Sequence, residues 1–287
     1  MFKNYLKFAW RNLMKDRQFT LLNLLGLSTG IACTLLIYLW VHDEFIFDKF
    51  HERDSQLYQL MEHRKSAGQT TISDESCGIL GETIAARMPE VEYAAAEAPA
   101  AWFQKFTLSV GEKNLKATGQ YVGKDYFNIF SFKLIDGKPG IVLADKSNIV
   151  ISDELAKKLF NTTENLIGKK IMFQHDQIFF VSGVFEKVPV HSSEQFDFLL
   201  SFEYFKQIQP WVTSWNNTGP HNFVLLKKGT DLESFNKRIA DIVTRSSGDT
   251  TRSAFAYRFS DNYLHNSFDH GNRIGGRIAN VRLFAII

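Results

Sequence analysis

Between Gln18 and Val41 the sequence QFTLLNLLGLSTGIACTLLIYLWV carries no charged side chain. A helix rising 1.5 Å per residue crosses ~30 Å of hydrocarbon with about 20 apolar residues, so this run predicts a transmembrane helix. Its few polar groups, Asn23 and several hydroxyls, can be satisfied within the helix. Tyr38 and Trp40 stand at its far end, where amphipathic rings favour the membrane interface. Ahead of the run stand Lys3, Lys7, Arg11, Lys15 and Arg17 against Asp16 alone. The positive-inside rule then puts the N-terminus in the cytoplasm and the bulk of the chain outside it. A cleaved signal peptide has a shorter apolar region and a small-residue cleavage site, whereas this run ends in YLWVHDEF. The segment GIAC invites a lipoprotein reading at Cys33, but the apolar run continues well past that cysteine.

Upstream, Phe2, Tyr5, Leu6, Ala9, Trp10, Leu13 and Met14 recur at helical spacing, and Lys3, Lys7, Arg11 and Lys15 step by four along another face. Residues 1–17 are therefore expected to form a basic amphipathic helix in the cytoplasmic headgroup layer, in contact with membrane lipids. Within the span (18–41), Gly26 and Gly30 make a small-xxx-small face, extended by Cys33 and Thr34, that lets another helix approach closely.

After position 17 the chain holds 28 Lys and Arg against 30 Asp and Glu. A nucleic-acid binder shows a basic surface across its folded part, so no nucleic-acid partner is expected. The two cysteines are not expected to pair, because Cys33 sits in the span and Cys77 beyond it. The rest of the chain reads as alternating short strands and helices. SCGILGETIAARMPEVEYAAAE is a helix stopped near Pro89, then an extended segment; KFTLSVGEKNLKATGQYV gives strands around Gly111. NIVISDELAKKLF is a strand running into a helix capped by Ser152, with Asp153 and Glu154 in its first turn. KKIMFQHDQIFFVSGVFEKVP is a hairpin. HNFVLLKKGTDLESFNKRIADIVTR gives a strand, a turn and one helix with Leu232, Phe235, Ile239 and Ile242 on one face. The expected fold is an α+β extracytoplasmic domain with mixed sheets over 42–272, preceded by the amphipathic helix and one transmembrane helix. The closing stretch, 273–287, turns apolar and is expected to begin a second membrane helix.

Chemistry is harder to find. No phosphate-binding loop, G-x-G-x-x-G, C-x-x-C, H-E-x-x-H or G-x-S-x-G occurs. Ser234 and Lys237 make an S-x-x-K on an amphipathic helix and read as a solvated face. Asp261, His265, Asp269 and His270 form the densest metal-like cluster, but their Asn-, Ser- and Gly-rich surroundings favour a surface loop. No catalytic residue, cofactor site or metal site is expected, and the protein is not expected to be an enzyme.

Several segments together resemble the MacB/FtsX-type ABC transporter permeases, in particular their MacB-like periplasmic core domain. NYLKFAWRNLMKDRQF, with Arg11 and Asn12, is similar to the family's basic elbow helix. Glu44, Asp48, Phe50 and His51 match its E-x-x-x-D-x-F-H entry to the periplasm, although Ile46 and Phe47 stand where the family often has Ser-Tyr. GQYVGKDYFNIFSFKLIDGKP, VLADKSNIVISDELAKKLF and VSGVFEKVPVHSSEQFDFLLSF continue the resemblance through the chain. It implies an inner-membrane permease subunit of a bacterial transporter, with four membrane helices in the whole protein. It further implies a separate or fused ABC ATPase subunit and a second permease copy or paralogue forming a dimer. In such systems ATP hydrolysis in the cytoplasm is transmitted as movement of the periplasmic domains. The competing reading is a membrane-anchored periplasmic sensor or binding module without an ATPase; a third, an anchored enzyme, is disfavoured by the missing motifs.

Overall fold

The computed structural model describes residues 2–286; Met1 and Ile287, the latter the end of the expected second membrane stretch, lie outside the described residues. The chain divides into two units, one holding residues up to 45 and from 278 onward, the other Ile46–Arg277. The first unit is helical. α1 (Phe2–Lys15) presents Tyr5, Leu6, Trp10 and Leu13 exposed, with its basic residues on another face. The corner into α2 (Arg17–Ile46) is stitched by Thr20, whose hydroxyl donates to the Leu13 carbonyl at 2.9 Å and whose amide donates to Asp16 at 2.9 Å. α2 runs past Val41 to Ile46, carrying the polar segment HDEF as a continuation of the apolar helix. Its most apolar stretch is 0% buried within the protein. That excludes the core helix of a soluble fold and leaves a surface suited to lipid. Near its end Trp40 meets Phe284 edge to face at 5.4 Å.

The second unit is built on one mixed sheet of thirteen strands. In chain order come β1 (Leu57–Ser66), β2 (Gln69–Ser73), α3 (Leu80–Arg87), β3 (Val91–Ala98), β4 (Phe106–Val110), β5 (Lys113–Ala117) and β6 (Gly119–Val122). The helical turn α4 (Tyr126–Ile129) leads to β7 (Leu134–Asp136), β8 (Asn148–Ser152) and α5 (Asp153–Phe160). Next are β9 (Lys170–Phe173), β10 (Gln177–Phe185), β11 (Phe198–Ser201) and α6 (Phe202–Ile208). The chain returns through β12 (His221–Leu226), α7 (Leu232–Ile239), α8 (Ile242–Ser247) and β13 (Arg252–Arg258). It closes with α9 (Phe259–Asn262) and the hairpin β14 (Ser267–Asp269)–β15 (Asn272–Gly275); α10 (Ile278–Ala285) belongs to the first unit. The order is β13-β1-β12-β3-β6-β11-β8-β10-β9-β4-β5, with β2 on β1 and β7 on β10. β8–β10 and β6–β11 are parallel and the other pairs antiparallel, which makes the fold α+β with a mixed sheet as expected.

Local signals act as the sequence predicts in several places. The Ser152 hydroxyl accepts from the Leu155 amide at 3.2 Å and caps α5. β9 and β10 pair as an antiparallel hairpin. Two expectations are corrected. The single helix expected after β12 is broken into α7 and α8, because the Ala240 carbonyl accepts from the Ala254 amide of β13 at 3.1 Å. The stretch around Asp261–His270, expected as a surface loop, forms α9 and the β14–β15 hairpin. His270 and Gly271 close that hairpin with φ of 48° and 82°, the left-handed pair that a tight two-residue turn requires.

Burial follows strand alternation. On β12, Val224 and Leu226 face a core with Leu80, Ile84, Phe235, Ile239 and Val243 of α3, α7 and α8. Phe223 and Leu225 face the opposite side, where Tyr126, Phe127, Phe130, Phe132 and Phe259 form an aromatic core. A third core lies under α5 and α6, around Phe173, Phe179, Phe198 and Phe205. Most of the phenylalanine excess is thus structural.

Candidate functional site

The chain enters the second unit through the sequence FDKFH, and each of its key side chains has a distinct job. Asp48 adopts a left-handed backbone (φ 57°), a conformation Asp tolerates, and turns the chain just past the end of α2. Its amide donates to the His191 carbonyl at 2.9 Å, and its carboxylate Oδ1 accepts from the Ser193 amide at 2.8 Å. Phe50 and His51 then dock on the aromatic core: the His51 ring meets Phe130, Phe132 and Phe259 edge to face at 5.2–5.6 Å. His51 Nδ1 accepts from the Ser131 amide at 3.2 Å, and the Glu52 amide donates to the Ser131 hydroxyl at 2.9 Å. Burial, against a weaker opposing pull from Asp54, drops the His51 pKa to about 4, so the ring is neutral at ordinary pH. The entry motif is therefore an anchor that fastens the start of the domain to its aromatic core.

Beside this anchor a polar row crosses the sheet on the aromatic face. Gln59 of β1 lies opposite Phe223 of β12, and His221 of β12 lies opposite Glu97 of β3. Gln120 of β6 continues the row by donating to Glu97 Oε2 at 3.3 Å and to the Tyr126 hydroxyl at 3.1 Å. Glu97 is fully buried, with its Oε1 3.7 Å from His221 Nδ1. From the loop before β11 comes Glu194, half-buried and lining the same cleft as His221. A cleft of about 300 Å³ opens onto the row, lined by Asp48, Gln59, Glu194, His221, Asn262 and Arg277 among others.

Burial, then the charges of Glu97 and Asp48, push the Glu194 pKa well above the usual carboxylate range. Burial also raises Asp48, against the lowering effect of its Ser193 hydrogen bonds. His221 is pushed down by burial, but its contact with Glu97 and the charge of Asp74 more than compensate and its pKa ends above the ordinary value. The row is a polar network joined by Gln120, Glu97, Tyr126 and His221. It offers no nucleophile paired with a base, and among the described residues no group of three His, Cys, Asp or Glu side chains is placed to hold a metal ion.

The other residues singled out in the sequence are dispersed. Arg11 and Asn12 are exposed on α1, and Glu44 lies in the last turn of α2. Gly26 and Gly30 share a face of α2 with open space at their Cβ positions. Of the metal-like cluster, Asp261 accepts from Arg273 at 3.4 Å, whereas Asp269 pairs with His270 at 2.8 Å. Ser234 donates to Asp231 at the start of α7, and Lys237 pairs with Glu233 at 2.6 Å. Sequence reasoning found Asp48, Phe50 and His51 through the family motif but missed Glu97, Gln120, Glu194 and His221. Isolated polar residues in strands give no signal until strand register places them side by side, as it does Glu97 and His221, and Glu194 stands in a loop with no motif around it.

Residues 20–242 match the family described as the MacB-like periplasmic core domain. Among solved structures, a domain described as that of a permease from Porphyromonas gingivalis superposes with TM-score 0.61 at 20% identity, covering 73% of this chain and 93% of that one. The periplasmic region of MacB from Actinobacillus actinomycetemcomitans superposes with TM-score 0.51 at 16% identity, covering 73% and 91%. At these identities the two structures establish the fold alone. No curated protein matches the chain.

Proposed function

The chain belongs to the MacB-like periplasmic core domain family of ABC transporter permeases, and from that premise we propose that it is a non-catalytic transport subunit. In this reading α2 spans the inner membrane with α1 on the cytoplasmic side, and the unit Ile46–Arg277 stands in the periplasm. A cytoplasmic ABC ATPase hydrolyses ATP, and the membrane helices pass the resulting motion to the periplasmic unit, which exports or extracts a substrate. A second permease copy or paralogue completes the assembly, with Gly26 and Gly30 allowing a neighbouring helix to pack closely. Residues from 273 onward lead into a further membrane helix.

One observation carries the reading. Asp48, at the start of the periplasmic unit, and Arg277, its last residue, line the same cleft. Both connections to the membrane helices therefore leave the unit at one place. A domain held at a single root can be displaced as a rigid body by small helix movements, whereas a catalytic role would require a reactive constellation. The test is to purify the full-length protein from native membranes under mild conditions. An ATPase carrying a phosphate-binding loop should co-purify, and protease added to intact spheroplasts should digest the 46–277 unit. Purification without any ATPase, or a unit protected inside spheroplasts, contradicts the assignment.

A further inference from the structure

Strand β3 is paired along its length on one side and only at its end on the other. Against β12 it runs from Val91 to Glu97, whereas against β6 only Glu97 and Ala98 are paired. The chain leaves the sheet at Gly123, whose amide donates to the Ala96 carbonyl at 2.8 Å and whose carbonyl turns away to accept from the Tyr126 amide at 3.0 Å. Consecutive residues of a strand turn their amide and carbonyl groups to opposite neighbours. Ala96 faces the β6 side, so Ala94 faces it too. There the Ala94 N–H and C=O and the Ala96 N–H meet no partner among the described residues. We propose that this open edge of β3, residues 92–96, is a peptide-binding site: an extended segment with small and basic side chains adds to it as a strand, in the place that a longer β6 would take.

The surroundings suit such a guest. The edge lines a cleft of about 510 Å³, a size typical of ligand sites, between α3 and the segments 123–125 and 143–144. Ala85, Ala94, Ala96, Gly123 and Ala144 make its walls small, so a second backbone can come within the ~4.8 Å of a paired strand. Ala96 is buried, and an unpaired amide on a buried residue is rare in a folded chain, which marks the edge as one to be completed. The rim is acidic, with Glu82, Glu92, Asp125 and Glu203 against Lys124. Arg53 holds Glu92, while Glu82 and Glu203 share Lys206 at 2.6 and 2.7 Å. Asp125 forms no ion pair among the described residues; its carboxylate accepts from the Asn128 side-chain amide at 2.9 Å. A lysine or arginine of the added strand supplies the missing cation, and an acidic segment is repelled.

Binding of the fluorescein-tagged peptide Ala-Lys-Val-Lys-Ala to the full-length protein tests the site, with the protein in nanodiscs of neutral phosphatidylcholine and empty discs as the control. Fluorescence anisotropy should show saturable binding below about 1 mM. With peptide at about ten times its Kd, residue-resolved hydrogen exchange at Ala94 and Ala96 should slow about tenfold, while the β9–β10 hairpin is unchanged. The same peptide methylated on its backbone nitrogens, and the acidic peptide Ala-Glu-Val-Glu-Ala, should each bind at least about tenfold more weakly. Ala144→Trp fills the cleft from an exposed position and should weaken binding of the basic peptide by about tenfold; Asp125→Asn should weaken it about threefold. The proposal is overturned if no saturable binding occurs below about 1 mM, if Ala94 and Ala96 exchange unchanged with peptide bound, if the methylated or the acidic peptide binds as well as the basic one, or if neither variant weakens binding.

Discussion

Replacing Arg252 by methionine should destabilise the 46–277 unit by about 3 kcal/mol. Arg252, at the start of β13, holds the fully buried Glu62 of β1 through two bonds, Nε to Oε2 at 2.7 Å and Nη2 to Oε1 at 2.8 Å. Its remaining nitrogen donates to the Trp215 carbonyl at 2.8 Å. Removing one member of a buried ion pair leaves an uncompensated charge, at a cost of roughly 3–5 kcal/mol. Arg64 Nε, 3.7 Å from Glu62, remains as a partial partner and places the loss near the lower end. Thermal unfolding of the isolated unit should register this as a fall of about 6–12 °C, at roughly 2–4 °C per kcal/mol for a domain of this size. The double variant Glu62→Leu with Arg252→Met removes both charges and should recover to within about 1 kcal/mol of wild type, because the attraction of a buried pair roughly offsets its desolvation. A single variant within about 1 kcal/mol of wild type, or a double variant no better than the single, refutes this reasoning.

His51 makes a pH prediction. Its folded pKa of about 4 lies below the ordinary 6.5, so its contribution to stability is present above pH 6.5 and is lost as pH falls towards 4. His51→Asn offers an amide oxygen to Ser131 without titrating, so the wild-type-minus-variant difference in urea-derived stability should shrink by up to about 3 kcal/mol between pH 7 and 4; a flat difference contradicts it. Gly119→Ala forces a Cβ to 2.1 Å from the Phe198 ring and should cost about 1–3 kcal/mol in the same assay. Ser152→Ala removes the α5 cap and should cost about 1 kcal/mol, while Ser152→Asp should recover most of it. Gly26→Ile and Gly30→Ile should insert into membranes normally but weaken assembly with neighbouring helices, measured by cross-linking or native mass spectrometry; wild-type assembly in both counts against a packed small-residue face.

What the sequence reveals divides by distance along the chain. The α2 helix, the Ser152 cap and the β9–β10 hairpin depend on neighbours a few residues apart, and all are readable as patterns. The break between α7 and α8 is not, because its cause is the bond from Ala254 to Ala240, made only once β13 has been placed. The polar row is hidden for the same reason. Glu97 sits in an alanine-rich strand and His221 at the head of a distant one, and only the antiparallel register of β3 with β12 sets them opposite each other. Asp48 and His51 were found through a family motif; their roles, a left-handed turn and a neutral ring against three phenylalanines, became clear only from packing.

The account stands or falls on whether the periplasmic unit moves when ATP is used on the other side of the membrane. The direct measurement places a spin label at Lys116→Cys, an exposed site on the edge strand β5, in a background where the native cysteines are replaced. Label-to-label distances are then compared in the reconstituted permease–ATPase assembly with ATP and after hydrolysis. A distance population that appears with ATP and reverts with ADP is the predicted result. Identical distributions in the two nucleotide states would contradict a motion-transmitting role.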